Sequence, residues 1–522
     1  MLKIKRFLIF SAFLAIYNIV NAQNERYLNP IFNEVEVSNI TPLASNYTIL
    51  NWIATQGQAN TLKQPLVARF YSPKGDTVKN RPLVIYIHTG NFFPYPANGS
   101  CSGTMLDSSN VEIANRLAKL GYVVAVINYR QGWNPYDPNE LIRRYFLINA
   151  AYRGVQDIST YVRYFRRSVD QLGNPHGIDP NKITVWGQGT GGYLSLASAY
   201  LNQYPEIFNT ADPNKFKLPT TNGYIPMVFE KYNGNIDGTG ADSIGKYAIV
   251  DALYNSISKL KIGDTLCSPN HIGYSSDFAL CVNMGGALGD SAWMNKGEMP
   301  LISYHVPTDP FAPCKTNVLN VPTSLGPQPV VEVTGSCDLA IRADGFGNND
   351  VFKKILPAKD KYGAANKSGN LGYYQFSNTP DDSSAPWEWA ASDNPPSTCN
   401  QNPVTAKLYI DTIVGYFIPR ACVALNLPCA NTVTSNQDLV SNLDIPVTIA
   451  PNPAESSVRI ETGDLTIIKE VYLYDINGRM VSVNAVNNTS YLLNRPSGLP
   501  QGLYTIGLKF EKGLMYKKVV FK

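Results

Sequence analysis

The sequence predicts two folds in succession: an α/β domain on a mainly parallel sheet with helices on both faces, then a small C-terminal all-β sandwich. Three observations predict this. Between about residues 40 and 430, β-rich apolar runs alternate with helical patterns, and strands separated by helices pair in parallel. Every cysteine lies before residue 430. From Val447 the texture changes to short alternating strands broken by turn signals.

In chain order, "PLVARFYSP" and "PLVIYIH" are strands. "SSNVEIANRLAKLG" starts at cap-type residues and closes at Gly121, so it reads as a helix. "YVVAVINYR" is a strand. Val155, Ile158, Val162, Phe165, Val169 and Leu172 recur at 3-4-3-4-3 spacing and predict a helix ending at Gly173. "KITVW" is a strand, and a small-residue helix follows Gly191. "FALCVNMGG", "PLISYH" and "GYYQFS" (Gly372 to Ser377) complete the strands. Residues 204–275 break the alternation, since a connection normally needs about 2–6 residues. They carry one helical pattern, "DSIGKYAIVDALYNSISKL", and read as a lid over the site or as a peripheral embellishment. Residues 431–446 are polar and read as a linker. Residues 447–522 hold the sandwich strands, with Asn477-Gly478 as a hairpin turn.

A length of 522 residues suggests two or three domains, and 44% hydrophobic against 16% charged residues describes a folded chain. The net charge of +4 is spread without Lys/Arg runs, which argues against nucleic acid. "MLKIKR" followed by "FLIFSAFLAIY" and "VNA" has the basic, apolar and small-residue order of a signal peptide over residues 1–22, with cleavage after Ala22. No later run reaches about 18 apolar residues, so no transmembrane segment is expected in the mature protein. The eight cysteines include no C-x-x-C pair and no His cluster accompanies them, so neither a metal nor another cofactor is expected. In an exported chain an even count favours disulfides, with free buried thiols as the alternative.

The chemistry centres on "KITVWGQGTGGYLSLASAY" (Lys182 to Tyr200). Gly187, Gly189 and Gly192 match G-x-G-x-x-G, but that fingerprint should open the first βαβ unit and have an acidic strand end about 20 residues later. Several strands precede it here, and "LNQYPEIFNTADP" follows. The same residues match the strand–turn–helix of G-x-S-x-G with Gly189 in the Ser position. Upstream lies "VIYIHTGNFF" (Val84 to Phe93), and downstream "PLISYHVPTDPFAP" (Pro300 to Pro313).

Over roughly residues 60–425 these three motifs, in this order, resemble the α/β-hydrolase fold of esterases and lipases. The resemblance implies that "HTGNFF" is an oxyanion loop, with Thr89 and Asn91 at two of its three glycine positions and Gly90 between them. It puts Thr190 after the nucleophile, as an oxyanion donor, and Asp309 in the place of the triad acid. Two departures stand out. Gly189 replaces the Ser, and the loop after the last strand, "NTPDDSSAPWEW", has no His. The four histidines are His88, His176, His271 and His305, none beyond Asp309. His88 and His305 read as loop-bracing residues, with a repurposed His305–Asp309 pair as the alternative. His176 is expected to be exposed, and His271 to lie at the far end of the sheet. "PWEW" places Trp387 and Trp389 near the site, as core or as a stacking platform, and Asp381, Asp382 and Glu388 supply carboxylates without a glycosidase-like spacing. The expected protein is therefore an esterase-like pseudoenzyme. Its pocket is framed by Gly90, Asn91, Gly189, Thr190, His305 and Asp309, and takes an ester-like or carbohydrate-like small molecule. The alternative is an active acyl hydrolase with a non-standard nucleophile or base.

The C-terminal motifs "APNPAESSVRI", "LYDINGRMV", "LPQGLYTIGL" and "KKVVFK" resemble the sorting domain of the type IX secretion system of Bacteroidetes. That resemblance implies the secretion machinery as partner, and a destination outside the cell or on its surface.

Overall fold

The structure, a computed structural model, describes residues 25–49, 61–93, 98, 100–133, 137–241, 246–258, 260–321, 328–366, 368–377, 379, 383–390, 402–434, 445–463, 466–476, 480–511 and 513–522. The signal sequence, Asp381, Asp382, Cys399, most of the linker and the Asn477-Gly478 turn lie outside them. Two compact units are present, Met1–Val433 and Thr434–Lys522.

The first unit is organised by a nine-stranded sheet. Its strands are β1 (Val35–Val37), β2 (Thr41–Thr48), β3 (Leu62–Pro73), β4 (Arg81–Ile87), β5 (Val123–Ile127), β6 (Ile178–Gln188), β7 (Leu280–Met284), β8 (Leu301–His305) and β9 (Tyr373–Gln375). The spatial order is β1-β3-β5-β4-β6-β7-β8-β9, with β2 also paired to β3. β3 is antiparallel to its neighbours β1, β2 and β5. From β5 to β9 every pairing is parallel. Both faces are buried, so these strands are apolar throughout and their alternation sorts residues between two cores. In β4, Leu83, Ile85 and Ile87 enter one core, and Val84 and Tyr86 the other.

Helices cover each face. α1 (Ser108–Leu120) packs on the Val84 side through Ile113 and Leu117. Gly121 caps its end in the left-handed conformation, φ 112°. α2 (Glu140–Asp170) and α3 (Thr190–Tyr200) cover the Leu83 side, joined there by α4 (Ser336–Phe346). α5 (Pro403–Ala424) joins α1 through Ile413 and Phe417. α2 differs from expectation at both ends. It begins at Glu140, where the Asn139 side chain accepts from the Leu141 N–H (2.9 Å), and it stops before Leu172, which is exposed.

The 204–275 insertion also differs from the single helix expected. Ala248–Ile249 pairs with Thr265–Cys267 as a short ribbon, and Ala252–Ser258 is the helical part of the expected stretch among the described residues, with further single turns at Tyr204–Phe208 and Glu230–Asn233. The ribbon is tied to β2, where the Asn46 side chain accepts from the Ser268 N–H (2.9 Å). The earlier part turns inward, with Ile207, Phe216 and Val228 facing the cavity described below.

The cysteines follow both readings. Cys314–Cys337 and Cys422–Cys429 are disulfides and Cys101 is disulfide-bonded, whereas Cys267 and Cys281 are buried free thiols. Among the described residues no helix is long and apolar enough to cross a membrane, and no cluster of three or more His, Cys, Asp or Glu could hold a metal ion.

The second unit has two antiparallel sheets. One is β10 (Val447–Ala450), β11 (Ser457–Thr462) and β14 (Ser490–Asn494). The other orders β13 (Met480–Asn488), β12 (Ile468–Tyr474), β15 (Gly502–Phe510) and β16 (Gly513–Phe521). Val458, Ile460 and Leu493 from the first share a core with Val471, Leu473, Ile506 and Val519 from the second, which makes a sandwich.

Candidate active site

The chain passes from β4 out to β5 and then back across β4 to β6, so the direction of winding reverses between β4 and β6. Parallel sheets open a ligand crevice at the carboxyl ends of strands at such a point. Thr89 follows β4 there and Gly189 follows β6.

The turn at Gly189 is a sharp elbow, with φ 52° and ψ −116°. Its glycine neighbours are required by contact: a Cβ on Gly187 would lie 1.8 Å from the Gly191 carbonyl oxygen, and one on Gly191 would lie 2.3 Å from that of Ile87. Strand and helix can therefore meet only without side chains at these positions. Gly189 has a further constraint. A Cβ there would lie 2.3 Å from Thr89 Oγ1 and 3.0 Å from Thr89 Cβ. The threonine hydroxyl thus occupies the space beside the elbow into which a nucleophile side chain would project.

The two backbone donors that the hydrolase resemblance assigns to an oxyanion are both engaged. The Asn91 N–H donates to Thr190 Oγ1 (2.8 Å), and the Thr190 N–H to Thr89 Oγ1 (3.4 Å). Asn91 and Phe92 both have φ 55° without being glycine. The strain is held by three bonds: Phe93 N–H to Gly90 O, Gly132 N–H to Phe92 O and Trp133 Nε1–H to Asn91 O, each 2.8 Å.

Across the crevice, Gly285 marks where the remaining parts meet. A Cβ built on it would lie 3.6 Å from Ser384 O, 3.7 Å from Asp309 Oδ2 and 3.9 Å from Trp387 Cζ2. The Asp309 position and the loop expected to carry a His therefore do converge, with Ser384 and Trp387 in that loop. Asp309 Oδ1 accepts from the N–H groups of Phe311 (2.8 Å) and Ala312 (3.1 Å), while burial pushes its pKa up to about 7. Glu388 accepts from the Ser109 N–H and hydroxyl, the Gln188 amide and the Trp389 N–H. Asp107 is pushed up to about 7, first by burial and then by the Glu388 charge.

A cavity of about 740 Å³ joins these parts, lined by Thr89, Asn91, Gly189, Thr190, Asp309 and Trp387 among others. Its walls are mostly apolar, with Phe92, Trp133, Leu147, Tyr193, Phe216 and Trp293. A hairpin of Asn317–Val321 and Gln328–Gly335 adds Leu319 and Val331. The resemblance placed Thr89 at a glycine position of the oxyanion loop without giving its hydroxyl a role, and no sequence signal pointed to this hairpin.

Gly90 and His305 are not among the described lining residues. Gly90 packs on Gly103, 3.3 Å from its built Cβ. His305 is fully buried behind the acid loop, its Nδ1 bonded to Ser336 Oγ and its Nε2 to the Ala312 carbonyl (2.9 Å each). His88 bonds the Thr89 carbonyl, and His271 bonds the Leu43 carbonyl away from the cavity. His176 is half-buried and not exposed as expected, because it stacks on Phe70 at 4.2 Å.

Residues 69–235 match the sequence profile of the BD-FAE family. The mainly parallel sheet with helices on both faces is α/β-hydrolase-like. Residues 448–522 match the secretion-system C-terminal sorting domain, which addresses a chain through the type IX machinery to the cell surface or beyond it. Among solved structures, butyrate-bound esterase 2 of the planctomycete Thermogutta terrifontis is similar at 14% identity over 48% of this chain and 70% of that one, TM-score 0.26. Brefeldin A esterase, a bacterial homologue of human hormone sensitive lipase, is similar at 18% identity over 35% and 39%, TM-score 0.20. The hyperthermophilic esterase of the archaeon Pyrobaculum calidifontis is similar at 24% identity over 35% and 42%, TM-score 0.19. No curated protein matches the chain.

The buried titratable groups of this α/β-hydrolase domain predict its pH dependence. Burial pushes all four histidines down to about 4. On unfolding they regain a pKa of about 6.5, so between about pH 6.5 and 4 the unfolded chain binds more protons and acid destabilises. Asp107 and Asp309 work in the opposite sense. Their folded values near 7 exceed the unfolded value of about 3.9, so they cost stability as pH rises through that window. Asp157, Glu298 and Glu388 are raised by burial in the same sense, so five carboxyls offset the four histidines. The expected result is therefore read group by group: all four imidazoles of the folded chain stay neutral at pH 6 by NMR, and protonation of any of them there would contradict the buried, neutral histidines.

Proposed function

We propose that this exported, esterase-like protein binds an apolar small molecule in its cavity and does not hydrolyse esters by the Ser–His–Asp route. The observation that carries the reading is the elbow: Gly189 stands at its centre, Thr89 Oγ1 fills the space beside it, and threonine hydroxyls engage both N–H groups that would hold an oxyanion. A working triad needs an attacking hydroxyl, a base to take its proton and free oxyanion donors. Asp309 alone of the triad positions keeps a fitting side chain. Incubating the mature chain with p-nitrophenyl acetate and butyrate tests this. No turnover above a denatured control is expected.

A second reading rests on Thr89. Its hydroxyl stands in the elbow and receives the Thr190 N–H, so an acyl hydrolase using Thr89 as nucleophile is the specific alternative. A fluorophosphonate probe separates the two: covalent labelling of Thr89, with turnover lost in Thr89→Val, would replace the binding reading.

We also propose that residues 1–22 are a cleaved signal peptide and that the C-terminal sandwich is an address and not part of the binding body. Among the described residues its core is built from residues of its own unit, 445–521. A chain truncated after Val433 is expected to fold with an unchanged circular dichroism signature for the α/β part, and to accumulate in the periplasm of a host with type IX secretion. Export of the truncated chain would contradict the assignment.

A further inference from the structure

Resting on the ligand-binding reading above, we infer that the cavity takes an apolar ligand bearing a basic nitrogen, an alkyl or aryl amine whose ammonium sits on Asp309. Asp309 is 9% exposed and lines the cavity. Its Oδ1 is held by the Phe311 and Ala312 N–H groups, but Oδ2 has no hydrogen bond to any described residue. That free oxygen lies on the Gly285 side, where it and Trp387 Cζ2 are both within 4 Å of a Cβ built on Gly285. In a triad this is the oxygen that would meet the imidazole N–H, and no His stands there.

The rest of the lining decides the sign of the ligand. Among its described residues there is no Lys, Arg or His. The only other acid among these described residues is Glu388, and both of its oxygens are occupied by Ser109, Gln188 and Trp389. A carboxylate ligand would enter a low-dielectric space beside two acidic side chains with no Lys, Arg or His among the described residues to pair with, which burial makes costly. A neutral apolar ligand would fit the walls but leave Asp309 Oδ2 unpaired. An ammonium satisfies that oxygen with a charge-assisted hydrogen bond, and its carbon chain covers the apolar walls. Tyr193, Phe311 and Trp387 line the cavity and provide ring surfaces that tolerate a cation. Pairing would also reverse the effect of burial on Asp309 by holding the carboxylate ionised.

The test uses the full mature chain at neutral pH and three probes of one length, octylamine, octan-1-ol and octanoate, titrated by calorimetry. Octylamine is expected to bind about tenfold or more tightly than octan-1-ol, with octanoate weakest. Asp309→Asn is expected to erase the preference for amine over alcohol. Octanoate binding as tightly as octylamine, or an amine preference that survives Asp309→Asn, would overturn the inference while leaving ligand binding standing. If none of the three binds, the binding reading falls with it. Should Asp309→Asn fail to fold, the ranking of the three probes on the unmodified chain still decides.

Discussion

Gly189→Ser alone yields no esterase and a less stable protein. The backbone at this position has φ 52°, a conformation that costs a side chain of order 1–3 kcal/mol. The new Cβ would also sit 2.3 Å from Thr89 Oγ1, so the threonine must move. Even a seated serine lacks a base. The only histidine near the acid, His305, has both ring nitrogens bonded, to Ser336 and Ala312. Thr89→Gly added to Gly189→Ser removes the collision and releases the Thr190 N–H for an oxyanion, but still supplies no base. Ser384→His would place an imidazole in the loop that meets Asp309 around Gly285. Turnover of p-nitrophenyl butyrate is therefore expected only in the triple variant, by about 10²-fold or more over the double, the range of one general base. Esterase activity in the single Gly189→Ser variant would reveal a base that the geometry does not show, and would undo the pseudoenzyme reading.

The largest expected loss of stability comes from Asp157→Asn, about 3–5 kcal/mol, the usual cost of stranding one partner of a buried ion pair. Arg130 and Asp157 are both fully buried. Arg130 Nε donates to Asp157 Oδ1 (2.8 Å), and its backbone N–H to Oδ2 (2.7 Å). Its Nη1 donates to the Tyr47 and Leu266 carbonyls and its Nη2 to Arg153 O and Gln156 Oε1. The guanidinium thereby ties β2, the 204–275 insertion and α2 to the segment after β5. Two residues on, Gly132 bonds the strained Phe92, so the pair also supports the loop at the cavity. Urea denaturation of Asp157→Asn measures the loss. The double change Arg130→Met with Asp157→Leu should recover only part of it, because the carbonyls of Tyr47, Leu266 and Arg153 would be left without their donor. A loss below about 1 kcal/mol in Asp157→Asn would show that the pair is not the brace described.

How far the sequence reads on its own depends on the range of the forces involved. Strands such as Val84 to Ile87 and Val123 to Ile127 were legible because a strand buried on both faces must be apolar throughout. The elbow was legible because strand, glycine turn and helix are neighbours in the chain and the close approach of Gly187 to Gly191 admits no side chain. The N-terminal half of α2 was missed because its burial comes from partners far away in the chain, Met227 and Tyr254 among them, rather than from a clean repeat of aliphatic residues. The insertion ribbon was missed for a similar reason, since Thr265–Cys267 is fixed by pairing with Ala248–Ile249 and by Asn46.

By itself the sequence determined the class of fold, the order of its elements, the address at the C-terminus and the absence of a Ser at 189 and of a His beyond Asp309, because each is local or a matter of composition. Only the tertiary structure decided what surrounds that elbow. Thr89 and Thr190 are about a hundred residues apart, and nothing in either segment says that their hydroxyls will engage the Thr190 and Asn91 N–H groups. Asp309, Gly285 and Trp387 come from three separate segments, and their meeting is set by the parallel register of β7, β8 and β9, which brings the carboxyl ends of those strands to one edge. The free Asp309 Oδ2 and the apolar walls facing it arise from that packing, where pairing and burial between distant side chains act.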